Sequence, residues 1–142
     1  MPIHLTAKQK QSIEAHGEDT FPNECCGFLL GTVCDHTKQV ASLLQVDNAR
    51  EGEAQHNRFL ISPQDFMRAE KEARMAGIDV IGIYHSHPDD SARPSQYDRD
   101  HAWPWYSYLI VSIMNQQADH MYSWVLKEDR SAFDQEDIVL ET

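Results

Sequence analysis

The chain has 142 residues, of which 41% are hydrophobic and 25% charged, with a formal net charge of −11 and three cysteines. This is enough chain for one domain, 1–142, with a core of its own, and the acidity excludes a nucleic-acid backbone as the natural partner while leaving room for a basic protein patch. Cys25, Cys26 and Cys34 form neither a disulfide framework nor a C-x-x-C pair, the N-terminus lacks the apolar stretch of a secretion signal, and no apolar run approaches bilayer length, so a cytoplasmic protein without membrane association is expected.

The first element expected is a helix from Thr6 to about His16. Thr6 and Gln9 fit a capping box, and Gly17 is its expected stop. A turn follows at Thr20-Phe21-Pro22-Asn23. Glu24 to Gly31 reads as a buried strand of small and apolar residues. Lys38 to Asp47 reads as its hairpin partner across a polar link, Asp35-His36-Thr37. Asn48 to Arg58 is polar and aperiodic, hence a loop. After the apolar Phe59-Leu60-Ile61, Ser62-Pro63-Gln64-Asp65 marks a helix start, with an N-cap serine, proline at N1 and an acid at N3. This helix carries Phe66, Ala69, Ala73 and Ala76 on one side and stops at Gly77.

Ile78 to Tyr84 is a short, β-branched run, expected to be a buried strand that delivers His85 and His87. Pro88 ends it because proline has no N–H for the ladder. Pro94-Ser95 opens a short helix carrying Asp98. Trp103-Pro104-Trp105 breaks the pattern, and these tryptophans read as core or cleft-wall aromatics. Strands are expected at Tyr106 to Met114 and Tyr122 to Leu126, with a weaker terminal one at Phe133 to Leu140. The order predicts an α/β protein, a mixed sheet packed by helices.

Residues i and i+2 of a strand share a face, so both imidazoles can converge on one metal ion. Two neutral nitrogens and one carboxylate, Asp98, suit Zn²⁺ and leave a fourth position for water. Taken separately, a His-x-His pair is also common in cores and on surfaces, and Ser95-x-x-Asp98 is also an ordinary capping pair. Glu24, an acid at the lip of an apolar strand, is a candidate general base whose pKa burial would raise; a solvated turn residue is the alternative. Cys25 and Cys26 point to opposite faces and read as buried, inert thiols. His4, His16, His36, His56, His101 and His120 show no ligand spacing.

The string His85-Ser86-His87-Pro88, six residues, then Ser95-x-x-Asp98 resembles the zinc signature of the JAMM (MPN+) metalloproteases at every fixed position, and Glu24-Cys25-Cys26-Gly27-Phe28-Leu29-Leu30-Gly31 fits the family's E-x-x-G-x-L-x-G strand. Asn48-Ala49, Phe59 to Pro63, Tyr106 to Ser112 and Ser123-Trp124 look like the small bacterial members, so the likeness covers about Asn23 to Glu136. The resemblance implies the JAMM/MPN fold, similar to zinc deaminases at fold level only. It implies zinc on His85, His87 and Asp98, Ser95 at the oxyanion and Glu24 activating water. It further implies a ubiquitin-like β-grasp partner with a C-terminal Gly-Gly, of the MoaD/ThiS sulfur-carrier type. Three readings follow: a peptidase acting after that Gly-Gly, an isopeptidase removing a ubiquitin-like modifier from lysines, and a non-catalytic scaffold, against which the complete ligand set argues.

Overall fold

The structure, a computed structural model, describes residues 1–50 and 52–141; the side chains of Glu53 and His56 lie outside the description, and with them the sequence reading of His56. The elements in order are β1 (Ile3–Thr6), α1 (Ala7–Thr20), β2 (Cys26–Cys34), β3 (Thr37–Val46), a 3₁₀ turn (Gly52–His56), α2 (Pro63–Met75), β4 (Asp79–Pro88), α3 (Gln96–His101), β5 (Ser107–Met114), β6 (Gln117–Leu126), β7 (Phe133–Glu136) and β8 (Ile138–Glu141). All eight strands form one mixed sheet in the order β7-β6-β5-β4-β2-β3-β1-β8. The β4–β5, β1–β3 and β1–β8 pairs are parallel.

Local chemistry accounts for most boundaries. Thr6 and Gln9 close the expected capping box on α1. Ser62 caps α2 with Pro63 at its start. The β2–β3 hairpin turns at Asp35 and His36, both at positive φ (51° and 60°), which matches the right-handed twist of the flanking strands. Three expectations are corrected. Gly17 does not stop α1, which continues to Thr20; a Cβ at Gly17 would sit 2.8 Å from Ile113 Cδ1, so this glycine serves the close approach of helix to sheet. The strand β6 begins at Gln117, before Tyr122, because its largely polar start, Gln117 to His120, pairs with β5, and only from Met121 does the strand bury large side chains. The terminal run is two strands, and β1 is a further strand that the four residues Ile3–Thr6 are too short to announce.

That split shapes the molecule. Strands β7 and β8 occupy opposite edges of the sheet, yet only Asp137 separates them in the chain. Laid flat, eight strands would set those edges roughly 34 Å apart. Two Cα steps cover at most about 7 Å. The sheet therefore curls until its edges meet, and Ile3 N–H bonds the Asp137 carbonyl at that seam, 2.9 Å.

Helix α1 fills the concave side, where Ile13 is buried among Ile3, Leu5, Leu29, Val40, Ile81 and Leu109. The convex side carries α2, whose Ala69 and Ala73 pack on Phe28, Leu30 and Ile83. Phe28 and Phe66 meet edge to face at 5.1 Å. Cys25 faces the α1 core and Cys26 the α2 core, as strand alternation requires. Burial pushes the Cys25 thiol up to about 12, which makes it unreactive.

Candidate metal centre

His85 and His87 share the convex face with Ile83, at the C-terminal end of β4. Helix α3 approaches them from the side. Its N-cap Ser95 accepts a hydrogen bond from Asp98 N–H (3.1 Å), and Asp98 Oδ2 accepts one from Ser95 N–H (2.9 Å). The capping box is real, and it also aims the carboxylate at the imidazoles. His85 Nε2, His87 Nε2 and Asp98 Oδ2 form a triangle with sides of 3.3, 3.1 and 3.4 Å. Three ligands about 2.0–2.1 Å from a tetrahedral ion stand roughly 3.3–3.4 Å apart. The donor set and its spacing fit a divalent cation such as zinc.

Burial disfavours charge on His85 and lowers its pKa despite Asp98. Burial also opposes charge on His87, but its bond to Asp98 more than offsets this, and the pKa stands at about 9. Asp98 is buried as well, yet the two histidines hold its carboxyl far below the usual range. The cluster is thus a buried, ionised carboxylate whose charge is balanced by the imidazoles beside it.

Glu24 stands just before β2, 3% exposed. Cys25 N–H bonds Ser86 Oγ (2.8 Å), which ties this end of β2 to the strand between the two histidines. Donor atoms of Glu24, His85 and His87 all lie within 4.8 Å of one another. Glu24 Oε1 is buried without a hydrogen-bond partner among the described residues. Burial raises the Glu24 pKa to about 8, with Asp98 and Asp90 adding and His87 opposing. Glu24, His87 and Ser95 line one cleft.

Three supporting residues escaped the sequence reading. Ser91 C=O accepts from His87 Nδ1 (2.7 Å), leaving Nε2 as the free lone pair. His85 Nδ1 is buried with no such partner among the described residues; its ring instead stacks on Phe59, centroids 4.4 Å apart at 25°. Asn48 Nδ2 donates to the carbonyls of Glu24 (3.1 Å) and Arg58 (3.0 Å), while its Oδ1 accepts from Arg50 N–H and Leu60 N–H. One fully used amide thus pins the loop against Glu24. The signals for it were an asparagine after a strand, before a polar loop, and the likeness of Asn48-Ala49 to the small bacterial members. Trp103 and Trp105 are not core residues: they are 49% and 64% exposed and stack on each other, with Trp103 at a cavity rim.

Known proteins resemble the chain over most of its length. The family described as prokaryotic homologs of the JAB domain matches residues 6–127. The chain belongs to that family. The match takes in α1, which the motif likeness alone did not reach. A protein of Haloferax volcanii named desampylase is 31% identical over 127 residues, covering 85% of this chain and 88% of its own. A second desampylase, from Pyrococcus furiosus, is 28% identical over 107 residues, 74% of this chain and 68% of its own. Among solved structures, a protein of Desulfitobacterium hafniense superimposes with a TM-score of 0.85 at 33% identity, covering 98% of this chain and 92% of that one. A JAB1/MPN domain protein from Archaeoglobus fulgidus shares the fold, with a TM-score of 0.56 at 18% identity over 98% and 99% of the two chains. Among the described residues, no helix is long and apolar enough to cross a membrane.

Proposed function

We propose that this JAB-domain chain is a zinc-dependent peptidase that hydrolyses the bond after the C-terminal Gly-Gly of a ubiquitin-like protein of the MoaD/ThiS sulfur-carrier type. The observation that carries the reading is the 3.1–3.4 Å triangle of His85, His87 and Asp98 with the unpartnered Glu24 carboxylate beside it. The enzymatic name borne by two relatives supports hydrolysis. His85, His87 and Asp98 would hold the metal, which when bound supplies the Lewis acidity that makes water nucleophilic near neutral pH.

The remaining work falls to the chain. Glu24, with its raised pKa, accepts a proton from the attacking water and returns it to the leaving amine. Ser95 Oγ already accepts from Asp98 N–H, so its own proton is available to the developing oxyanion. Ser91 fixes the His87 tautomer through Nδ1. A glycine tail has no side chains and fits a narrow cleft in extended form. The second reading, an isopeptidase releasing a ubiquitin-like modifier from lysines, draws on the same residues and on the relatives' name.

The test pairs zinc content with cleavage of a carrier extended beyond Gly-Gly and of a lysine-linked conjugate. Glu24→Gln keeps the shape but cannot take a proton. Its expected rate is ~10²–10⁴-fold lower, with zinc and carrier binding retained. A Glu24→Gln rate within about threefold of the unmutated protein removes Glu24 from the mechanism, and failure to bind zinc removes the reading altogether.

A further inference from the structure

Behind the candidate metal centre lies a second cavity, of about 140 Å³, separate from the cleft that Glu24 and Ser95 line. His85 and Asp98 form part of its wall, so an occupant sits within one residue's reach of the reacting bond. Phe66, Ile83 and Tyr108 supply apolar wall, and Leu60 and Trp103 stand at the rim, 43% and 49% exposed. Among the described residues no lysine or arginine lines it, and Asp98 is its only carboxylate.

Size and chemistry narrow the occupant. An apolar cavity of about 150 Å³ takes up benzene, so this one suits a phenyl ring or a leucine-sized group. Apart from the imidazoles of His85 and His101 and the carboxylate already committed to the histidines, the described wall offers no charge to an acidic or basic side chain. The argument rests on the proposed hydrolysis after Gly-Gly. On the acyl side of that bond both residues lack side chains and cannot fill a cavity. We infer that this cavity receives the side chain of the residue on the amine side of the scissile bond and selects a large apolar one. The chain would then read its substrate in two places, a narrow cleft for the glycines and an apolar cavity for the leaving residue.

The experiment uses the zinc-loaded protein and carriers ending in Gly-Gly followed by Phe, Leu, Ala or Asp. Expected kcat/KM values for Phe and Leu exceed Ala by about tenfold or more, because each methylene in an apolar pocket discriminates strongly, with Asp lowest. Trp103→Ala, at an exposed rim position, should shrink the Phe-to-Ala ratio, and Ile83→Phe should invert it by filling the cavity. A parallel measurement needs no cleavage: phenylalaninamide, and not alaninamide, should shift the backbone amide resonances of Leu60, Ile61 and Trp103. Cleavage of all four carriers at rates within about threefold overturns the inference, as does a preference set by the residue before Gly-Gly. If no carrier is cleaved and phenylalaninamide still moves those signals, the hydrolytic reading fails and the cavity's apolar selectivity stands. If neither occurs, both fall.

Discussion

Two buried polar clusters occupy opposite ends and opposite faces of the same sheet, and they differ in how their polar groups are arranged. On the concave face, Lys38 Nζ donates to Ser107 Oγ (2.5 Å) and pairs with Glu136 Oε2 (3.5 Å), while Ser107 and Ser123 both donate to Glu136 Oε1 (2.7 and 2.8 Å). The charges of Lys38 and Glu136 cancel, and Glu136 Oε2, which has no hydrogen bond among the described residues, faces the ammonium. At the other end, two imidazole nitrogens and a carboxylate oxygen crowd within 3.4 Å, and Glu24 Oε1 stands beside them without a hydrogen-bond partner among the described residues. The first is an ion pair laced by hydroxyls; the second sets three ligand-type atoms at the mutual spacing of one ion's shell. Burial is common to both and does not tell them apart.

The comparison breaks most visibly on metal removal. Chelation should abolish cleavage entirely while far-ultraviolet circular dichroism stays that of the folded chain, because neither of the two cores flanking the sheet is built from the candidate ligands. Collapse of the spectrum on chelation would mean that the metal centre is structural after all.

The reverse change belongs to the other cluster. Lys38→Met strands Glu136 as an uncompensated buried charge, and a stability loss of about 3–5 kcal/mol is expected in urea titration, with zinc content and activity per folded molecule unchanged. Adding Glu136→Leu should recover much of it, since apolar replacement of a buried pair is often neutral. A Lys38→Met protein as stable as the parent shows the network to be dispensable to the curled sheet.

The smallest expected effect sharpens the difference within the metal centre itself. His87 is oriented by a hydrogen bond to Ser91, whereas His85 is oriented by the face of Phe59. Phe59→Ala should weaken zinc binding about tenfold, the low end for loss of a group that orients a ligand, and Phe59→Tyr should restore it. Competition with a calibrated chelator measures both. Equal zinc affinity in all three proteins would show that His85 needs no such support.

The sequence by itself determined where the helices start and that the two histidines share a face. Local signals sufficed for these: Ser62-Pro63 starts a helix wherever it is placed, and His85 and His87, two residues apart on a strand, must share a face. The resemblance of the string from His85 to Asp98 to a zinc signature, and not the spacing alone, singled out these three residues, whose ligand-type atoms lie within 3.4 Å of one another. Tertiary structure alone decided what depends on distant residues meeting. Ile3–Thr6 is a strand because β3 and β8 flank it, and Gly17 is needed because Ile113 arrives there. The sheet curls because its last two strands, one residue apart, dock on opposite edges. Lys38 finds Glu136, Phe59 finds His85 and the apolar cavity opens beside Asp98 only once that curvature exists, since no periodicity within a strand encodes its neighbours across the fold.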